Sequence, residues 1–239
     1  MARSALVLGG GMVGVSTAWH LQQRGFDVVL VDRREPGRET SYGNAGLIQR
    51  EAVEPYAFPH DLQKLMQVAL HQGNDVTYRF ADLLALAPRL AEYWWNSSPR
   101  RYARISRGFE ALIRYSLSEH DRMIDASGAG DLVRHGGWTQ IFRTEKGFAD
   151  GAAKARHFAR EFGVESRILD SATLARSEPA LRRAMTGGVY WPTPYSVTDP
   201  GALVQRYADL FTSGGGKIVH GDARTLSNLA GGWTVQTKD

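Results

Sequence analysis

Apolar residues near the start of the chain form two short runs separated by a helical pattern. Residues 5–8 are typical of a buried parallel strand, and residues 26–31 form a second run that is rich in valine. Residues 13–24 between them predict a helix with one apolar face, and Gly25 is placed to end it. The pattern therefore predicts a strand, a helix and a second strand parallel to the first.

The remaining chain mixes helical and strand patterns, with no internal repeat. Residues 100–126 predict one amphipathic helix, and residues 132–142 predict one strand. The shared face of that helix comprises Ile105, Phe109, Leu112, Ile113, Ser116, His120, Met123 and Ile124. The other predicted elements are helices over 145–161, 171–176 and 200–212, helical patches at 61–71 and 80–95, and strands over 166–169, 189–191, 217–221 and 233–237.

A glycine-rich turn joins the first predicted strand to the first helix. Gly9, Gly11 and Gly14 have the spacing G-x-G-x-x-G, and Asp32 follows the second strand. In this motif the first glycine permits a tight turn, the second lets a pyrophosphate approach the backbone, and the third lets the helix pack against the strand. The helix start offers free N–H groups to the phosphates, and the acid binds ribose hydroxyls. The order of these features favours a dinucleotide site over a plain strand-to-helix turn.

The motif alone does not distinguish the dinucleotides, because NAD and FAD share it. Asp32 argues against a ligand with a 2′-phosphate, which is the mark of NADP. Arg33 and Arg34 could instead clamp such a phosphate. The alternative is that both arginines are solvated or reach the pyrophosphate or the adenine edge.

Composition excludes several classes of function. Lys and Arg total 29 against 25 Asp and Glu, a net charge of +4 spread over 239 residues, so no nucleic-acid partner is expected. The absence of cysteine excludes disulfides, thiolate catalysis and zinc-thiolate sites, and it fits a reducing cytoplasm. The seven histidines form no H-x-x-x-H pair, so no metal site is expected.

Membrane-crossing and secretory segments are not predicted either. The sequence has no run of 18 apolar residues, which is the minimum for a transmembrane helix. Residues 5–15 are apolar, but Gly9, Gly10, Gly11 and Gly14 interrupt them and a small-residue cleavage pattern is missing. We therefore interpret this stretch as folded protein.

The segment after the second strand carries a family resemblance. Residues 39–46 are small, polar and punctuated by glycine, so their backbone can approach a flat ligand closely. Together with residues 7–15 and 31–33, this segment resembles the FAD-dependent D-amino-acid oxidase superfamily, and within it most closely the small subunit of the bacterial D-amino-acid dehydrogenases. Residues 137–144, 177–181, 187–190, 199–200 and 214–218 extend the resemblance along the chain.

This resemblance implies an α/β Rossmann-type FAD-binding domain with an inserted α+β substrate domain. It divides the chain into a first part of the FAD-binding domain (1–85), a first part of the substrate domain (86–198) and a return to the FAD-binding domain (199–239). Family members are longer, so we expect the chain to be C-terminally truncated and both domains to be incomplete.

The resemblance also implies the chemistry. It predicts FAD as the cofactor and oxidation of a D-amino acid to a 2-oxo acid and ammonia by hydride transfer to flavin N5. The alternatives are a flavin oxidase or dehydrogenase of glycine, sarcosine or proline-type amines, an NAD(P)-dependent dehydrogenase, and a non-catalytic nucleotide-binding fragment.

Cofactor contacts are predicted at three places, and no catalytic residue is assigned. Backbone groups at the turn and helix start would hold the pyrophosphate, an acid and two basic residues would contact the adenosine, and the segment after the second strand would contact the phosphate, ribityl chain and flavin ring. The residues are Gly9, Gly11, Met12, Val13 and Gly14; then Asp32, Arg33 and Arg224; then Thr40, Ser41, Asn44, Ala45, Gly46, Leu47 and Ile48. Tyr56, His60, Tyr190 and Tyr195 could reach a substrate, but we interpret them as packed or surface aromatics.

One further cluster interleaves aromatic and basic side chains. Residues 93–95 are Tyr-Trp-Trp, and Arg100, Arg101, Arg104 and Arg107 follow. A membrane or nucleic-acid surface is one interpretation. We favour a helix start with solvated arginines, because the basic cluster spans two turns and Glu110 and Glu119 follow.

Partners and location follow from these interpretations. We expect a small-molecule D-amino acid or amine as substrate, no nucleic acid, and a cytoplasmic location. The resemblance implies an electron acceptor such as a membrane quinone, which leaves peripheral contact with the inner membrane face as an open alternative.

Overall fold

The computed structural model describes residues 3–61, 80–229 and 231–237. Its helices are α1 (Met12–Gln23), α2 (Phe80–Asn96), α3 (Pro99–Ile113), α4 (Ser116–Ser127), α5 (Glu145–Phe162), α6 (Ser171–Ser177) and α7 (Pro200–Ser213). Its strands are β1 (Ser4–Leu8), β2 (Asp27–Asp32), β3 (Leu47–Ile48), β4 (Val133–His135), β5 (Trp138–Phe142), β6 (Arg167–Asp170), β7 (Gly187–Trp191), β8 (Tyr195–Val197), β9 (Lys217–His220), β10 (Ser227–Leu229) and β11 (Gly232–Thr234). Short 3₁₀ turns lie at Gly130–Leu132 and Ala223–Thr225.

The first two strands of the chain and the later strand β9 form a parallel sheet with the order β1, β2, β9. Val7 of β1 pairs with Leu30 of β2, which pairs in turn with Ile218 of β9. Helices α1 and α7 pack together beside this sheet, and their facing side chains, among them Ala18 and Tyr207, are fully buried. The predicted strand, helix and strand unit is confirmed, because β1, α1 and β2 agree with it to within one or two residues.

The middle of the chain forms two antiparallel three-stranded sheets with the orders β3, β8, β4 and β5, β7, β6. A separate hydrophobic cluster beside the second sheet holds Val53 and Val189 with Phe158 of α5 and Trp191. Strands β10 and β11 form a hairpin near the end of the chain. Strand β3 consists of Leu47 and Ile48, the last two residues of the segment predicted to contact a flavin.

The single helix predicted over 100–126 is wrong, because the structure has α3 and α4 with a turn at Arg114 and Tyr115. The N–H of Tyr115 bonds to the carbonyl of Leu112, three residues back, which tightens and ends α3. The predicted apolar face holds in α4, where Met123 and Ile124 are buried. It fails in α3, where Leu112 is exposed.

The face that α3 buries instead is polar. Ser106 and Glu110 are its buried residues, and the Glu110 carboxylate accepts hydrogen bonds from Arg50 and Arg114. These ion pairs compensate the cost of burying the charge. A polar buried face of this kind gives no hydrophobic periodicity, so the sequence pattern indicated the wrong face.

The single strand predicted over 132–142 is also wrong, because β4 and β5 belong to different sheets. Gly136 and Gly137 separate them, and Gly137 has a φ of +63°. A Cβ on Gly137 would lie 1.9 Å from the carbonyl oxygen of Trp191, so only glycine fits this corner. The helical patch predicted at 61–71 lies outside the described residues from residue 62 onward.

In the part of the chain that the structure describes, no helix has the length and apolar character needed to cross a lipid bilayer.

Candidate functional site

The turn between β1 and α1 brings the backbone of two glycines into contact. Gly9 has a φ of +105°, and its N–H donates to the carbonyl of Val31 at 2.8 Å. A Cβ on Gly14 would lie 1.7 Å from the carbonyl oxygen of Gly9, which is far inside van der Waals contact. Helix α1 therefore starts directly above the end of β1, as the spacing of the motif requires.

The start of α1 faces outward with little of its positive end neutralised. Its first turn contains no acidic residue, and Gly11, which precedes it, provides no side-chain cap. The side chain of Val13 is 81% exposed, so the helix end is open to a ligand. Free N–H groups and the helix dipole favour an anion at such a position.

The side chain of Ser41 forms a hydrogen bond with the start of α1. Its buried hydroxyl oxygen accepts a hydrogen bond from the N–H of Met12 at 3.0 Å. A Cβ on Gly11 would lie 3.3 Å from the same oxygen. The structure thus brings together Gly11, Met12 and Ser41, three of the residues predicted to hold the phosphates.

Asp32 ends β2 beside the glycine turn. One oxygen of its carboxylate accepts a hydrogen bond from the N–H of Gly10, and the other accepts from the N–H of Arg34 at 3.0 Å. The two bonds fix the carboxylate at the carboxyl end of the sheet. Each carboxylate oxygen has more than one lone pair, so the group can still accept from ribose hydroxyls.

The two arginines after Asp32 are engaged by Glu39. Arg33 donates from Nε and Nη2 to the Glu39 carboxylate at 3.1 and 3.0 Å, and Arg34 Nε lies 3.1 Å from Glu39 Oε1. The hydrogen bond from Arg33 lowers the pKa of Glu39, so the carboxylate is charged at neutral pH. The arginines are therefore already paired with an anion, which argues against a clamp for a 2′-phosphate.

A cleft of about 300 Å³ opens at the carboxyl ends of the parallel strands. It is lined by Gly9, Val31, Asp32, Arg33, Glu39, Gly221, Asp222, Ala223 and Arg224. Arg224 Nε lies 3.3 Å from Asp222, and the N–H of Arg224 lowers the pKa of the Asp222 carboxyl. The cleft thus brings the predicted residues Asp32, Arg33 and Arg224 together.

Glu39 and Asp222 were missed by the sequence analysis. Asp222 stands two residues past the end of β9, and β9 pairs directly with β2. Ligands of open α/β sheets bind outside the carboxyl ends of the strands, so this position was a usable signal. Glu39 gave no comparable signal, because its pairing with two arginines becomes visible only once the loop is folded.

The segment from Asn44 to Ile48 follows Ser41 in the chain, and its last two residues form β3. Asn44 Oδ1 accepts from the N–H of Gly46 at 2.8 Å, closing a tight turn. Gly46 has a φ of +62°, and a Cβ there would lie 2.4 Å from the carbonyl oxygen of Val197. Thr40 and Ala45 are exposed, Leu47 is half-buried, and Ile48 is buried. None of these residues lines the cleft at the carboxyl ends of the parallel strands.

The aromatics weighed as substrate contacts are engaged or fully exposed. Tyr195 donates to Asp121, Tyr190 donates to the carbonyl of Gly136, and a ring nitrogen of His60 lies 3.0 Å from the Trp94 carbonyl oxygen. Tyr56 is 95% exposed. Among the described residues, no group of three His, Asp or Glu side chains has a geometry that could hold a metal ion.

The arrangement fits an extended dinucleotide such as FAD. The glycine turn and the open helix start suit a pyrophosphate, because only backbone atoms approach the ligand there. The neighbouring cleft contains the carboxylates of Asp32 and Asp222, which can accept hydrogen bonds from ribose hydroxyls. The segment from Asn44 to Ile48 follows Ser41 in the chain, and its contact with the flavin half stays a prediction.

Comparisons with known proteins agree with this geometry. A family model described as FAD dependent oxidoreductase matches residues 4–239. A D-amino acid dehydrogenase from Chromohalobacter salexigens is 32% identical over 191 residues, covering 78% of this chain and 45% of that protein. A D-amino acid dehydrogenase from Granulibacter bethesdensis is 32% identical over 199 residues, covering 78% of this chain and 46% of its own length.

The fold has relatives among solved structures. Glycine oxidase from Geobacillus kaustophilus superposes with a TM-score of 0.63 at 20% identity, covering all of this chain and 52% of that enzyme. L-amino acid deaminase from Proteus vulgaris gives a TM-score of 0.61 at 18% identity. The chain spans about half the length of the relatives it matches. By its sequence and its fold, the chain belongs to the FAD dependent oxidoreductase family.

Proposed function

We propose that the protein is an FAD-dependent dehydrogenase that oxidises D-amino acids to 2-oxo acids and ammonia. The observation that carries this proposal is the glycine turn, in which Gly14 meets Gly9, beside a cleft lined by Asp32 and Arg224. The D-amino acid dehydrogenases at 32% identity support the choice of substrate class. The fold alone does not select a substrate, because similar folds serve different chemistries.

Different residues would hold different parts of the cofactor. The N–H groups at the start of α1 bind the pyrophosphate, and Asp32 binds the adenosine ribose. Thr40 and Ser41 would contact phosphate or ribityl oxygens, and the segment from Asn44 to Ile48 would contact the flavin ring. FAD bound there would supply the redox chemistry, in which a hydride passes from the substrate Cα to flavin N5 and water hydrolyses the imino acid that is left.

Turnover tests this function directly. The chain loaded with FAD should reduce an artificial electron acceptor with D-alanine and not with L-alanine. Reduction with sarcosine or proline in preference to D-alanine would favour the alternative amine substrates. FAD binding without turnover of any amine would favour a non-catalytic fragment and would contradict the proposed activity.

For the aromatic patch at residues 93–95 we also propose a test of the alternative to solvated arginines, a peripheral membrane contact. Trp94 and Trp95 of α2 are 43% and 55% exposed, and the Arg101 guanidinium lies 3.9 Å from the centre of the Trp95 ring. Residues 85–109 carry five arginines and one glutamate. Tryptophan beside arginine suits the headgroup region of an anionic bilayer, which would bring a cytoplasmic enzyme close to a membrane quinone as electron acceptor.

Vesicle sedimentation tests the membrane contact. The protein should bind phosphatidylglycerol vesicles and bind phosphatidylcholine vesicles at least several-fold less. The double variant W94A/W95A should lose most of this binding. The control is W233A, which removes a tryptophan that is 62% exposed but lies on β11. Equal binding by both variants would show that the patch has no role.

A further inference from the structure

The carboxylate of Glu39 is shared by two arginines at the edge of the cleft beside the glycine turn. Arg33 donates to it from both Nε and Nη2, and Arg34 Nε lies 3.1 Å from Glu39 Oε1. The bidentate bond turns the Nε and Nη2 side of the Arg33 guanidinium toward Glu39, so that side is occupied. One acidic side chain therefore holds two cations that follow Asp32 in the chain.

The lining of this cleft contains more acidic than basic side chains. It has three carboxylates, from Asp32, Glu39 and Asp222, and two guanidiniums, from Arg33 and Arg224. Each guanidinium is paired with an acid, because Arg33 contacts Glu39 and Arg224 contacts Asp222. The Asp32 carboxylate is held by backbone N–H groups. The lining therefore has an excess of one negative charge.

This balance of charges distinguishes two kinds of adenosine nucleotide. The hydroxyls of a free ribose are neutral donors, and a carboxylate can accept their hydrogen bonds. A phosphate monoester at the 2′ position carries about −1.5 to −2 charges at pH 7, so a negatively charged lining repels it. Dinucleotide folds that accept a 2′-phosphate use a nearby arginine for it. Here the arginines next to Asp32 are held by Glu39.

We propose that Glu39 is a specificity-determining residue, which excludes adenosine nucleotides with a 2′-phosphate by holding Arg33 and Arg34. The inference rests on the proposed function, in which the adenosine of FAD occupies this cleft with a free ribose. Without the Glu39 charge, the lining has two carboxylates and two guanidiniums, so its negative excess is gone. Arg33 and Arg34 are then both available to bind a phosphate.

The test measures selectivity between two nucleotides that differ by the 2′-phosphate. Isothermal titration calorimetry of the full chain with adenosine 5′-monophosphate and with adenosine 2′,5′-bisphosphate gives both dissociation constants. The wild type should prefer the monophosphate. E39Q should bind the bisphosphate at least about tenfold more tightly than the wild type does. The double variant R33Q/E39Q should lose most of that gain, because one of the two freed guanidiniums is removed.

E35Q is the matched control for the loss of one negative charge. Glu35 lies in the same loop, but its carboxylate is 3.2 Å from His220 and it does not line the cleft. E35Q should therefore bind both nucleotides as the wild type does. Because Glu39 and its two arginines are partly exposed, their ion pairs contribute little to stability and E39Q should fold. A thermal melt checks this, and E39A replaces E39Q if the glutamine variant does not fold.

A bisphosphate affinity that rises in E39Q and stays unchanged in E35Q supports the role of Glu39. Equal bisphosphate affinity in E39Q and the wild type overturns it, and so does an equal gain in E35Q. Flavin fluorescence titrations with FAD separate this inference from the proposed function. A wild-type chain that does not bind FAD overturns the proposed function, whereas FAD binding by the wild type with no gain in E39Q overturns the inference about Glu39 alone.

Discussion

Gly14 sits at the closest approach between helix α1 and strand β1, so it is the residue at which the dinucleotide turn is most easily broken. In G14A, the new Cβ would meet the Gly9 carbonyl oxygen at 1.7 Å. Because that oxygen belongs to the backbone, the helix must shift away from the sheet. We expect a loss of about 2 kcal/mol or more in the free energy of unfolding, together with at least tenfold weaker FAD binding.

G108A provides the matched control for this substitution. Gly108 lies inside α3, and a Cβ added there has no neighbour within 4 Å. Alanine should therefore stabilise the helix by about 0.5–1 kcal/mol and leave FAD binding unchanged. Denaturant unfolding and flavin fluorescence measure both quantities. Equal FAD affinity in G14A and the wild type would be incompatible with the close approach described.

Single residues differ in how far the sequence could predict them. The three glycines and Asp32 were predictable because each has a distinct steric or chemical task at a fixed spacing. Glu39 was not, since its importance lies in pairing with Arg33 and Arg34 across a loop.

At the level of elements, α4 and α7 meet through a pair of titratable side chains, a half-buried histidine and a fully buried tyrosine. His120 Nδ1 lies 3.0 Å from the hydroxyl of Tyr207, which is fully buried. Burial lowers the pKa of His120 below its ordinary value of 6.5, an effect that Asp121 partly opposes. The folded protein therefore takes up this proton at a lower pH than the unfolded chain does.

This difference in proton binding between the folded and the unfolded chain makes the free energy of unfolding depend on pH. Below about pH 6.5 the unfolded chain binds more protons than the folded one, so the free energy of unfolding falls as the pH decreases. The His120 contribution has a slope of at most about 1.4 kcal/mol per pH unit. H120Q should flatten the profile measured by denaturant unfolding. A profile unchanged in H120Q would rule out this role.

Elements with clear periodicity were predictable, and those defined by their neighbours were not. Helices α5 and α7 match their predicted ranges to within one residue at each end. Strand β3, with two residues, is too short to show an alternation, and it exists because β8 pairs with it. Helix α3 buries ion-paired Glu110, and such a contact leaves no apolar signal in the sequence.

At the scale of the whole molecule, a strand late in the chain joins the parallel sheet formed by the first two strands. Strand β9 pairs with β2 and places Asp222 and Arg224 beside Asp32. The FAD-binding part of the predicted fold class is supported by the family match and by the solved structures. The division into an inserted substrate domain over 86–198 stays a prediction, as do the individual cofactor contacts.

The central claim is that the glycine turn and its neighbouring cleft bind FAD, and titration of the purified chain with FAD tests it most directly. Flavin and tryptophan fluorescence should show saturable quenching with FAD, whereas NADPH should give none, because Arg33 and Arg34 are already paired with Glu39. Saturation by NADPH in place of FAD, or no saturation by FAD at all, would contradict this account of the site.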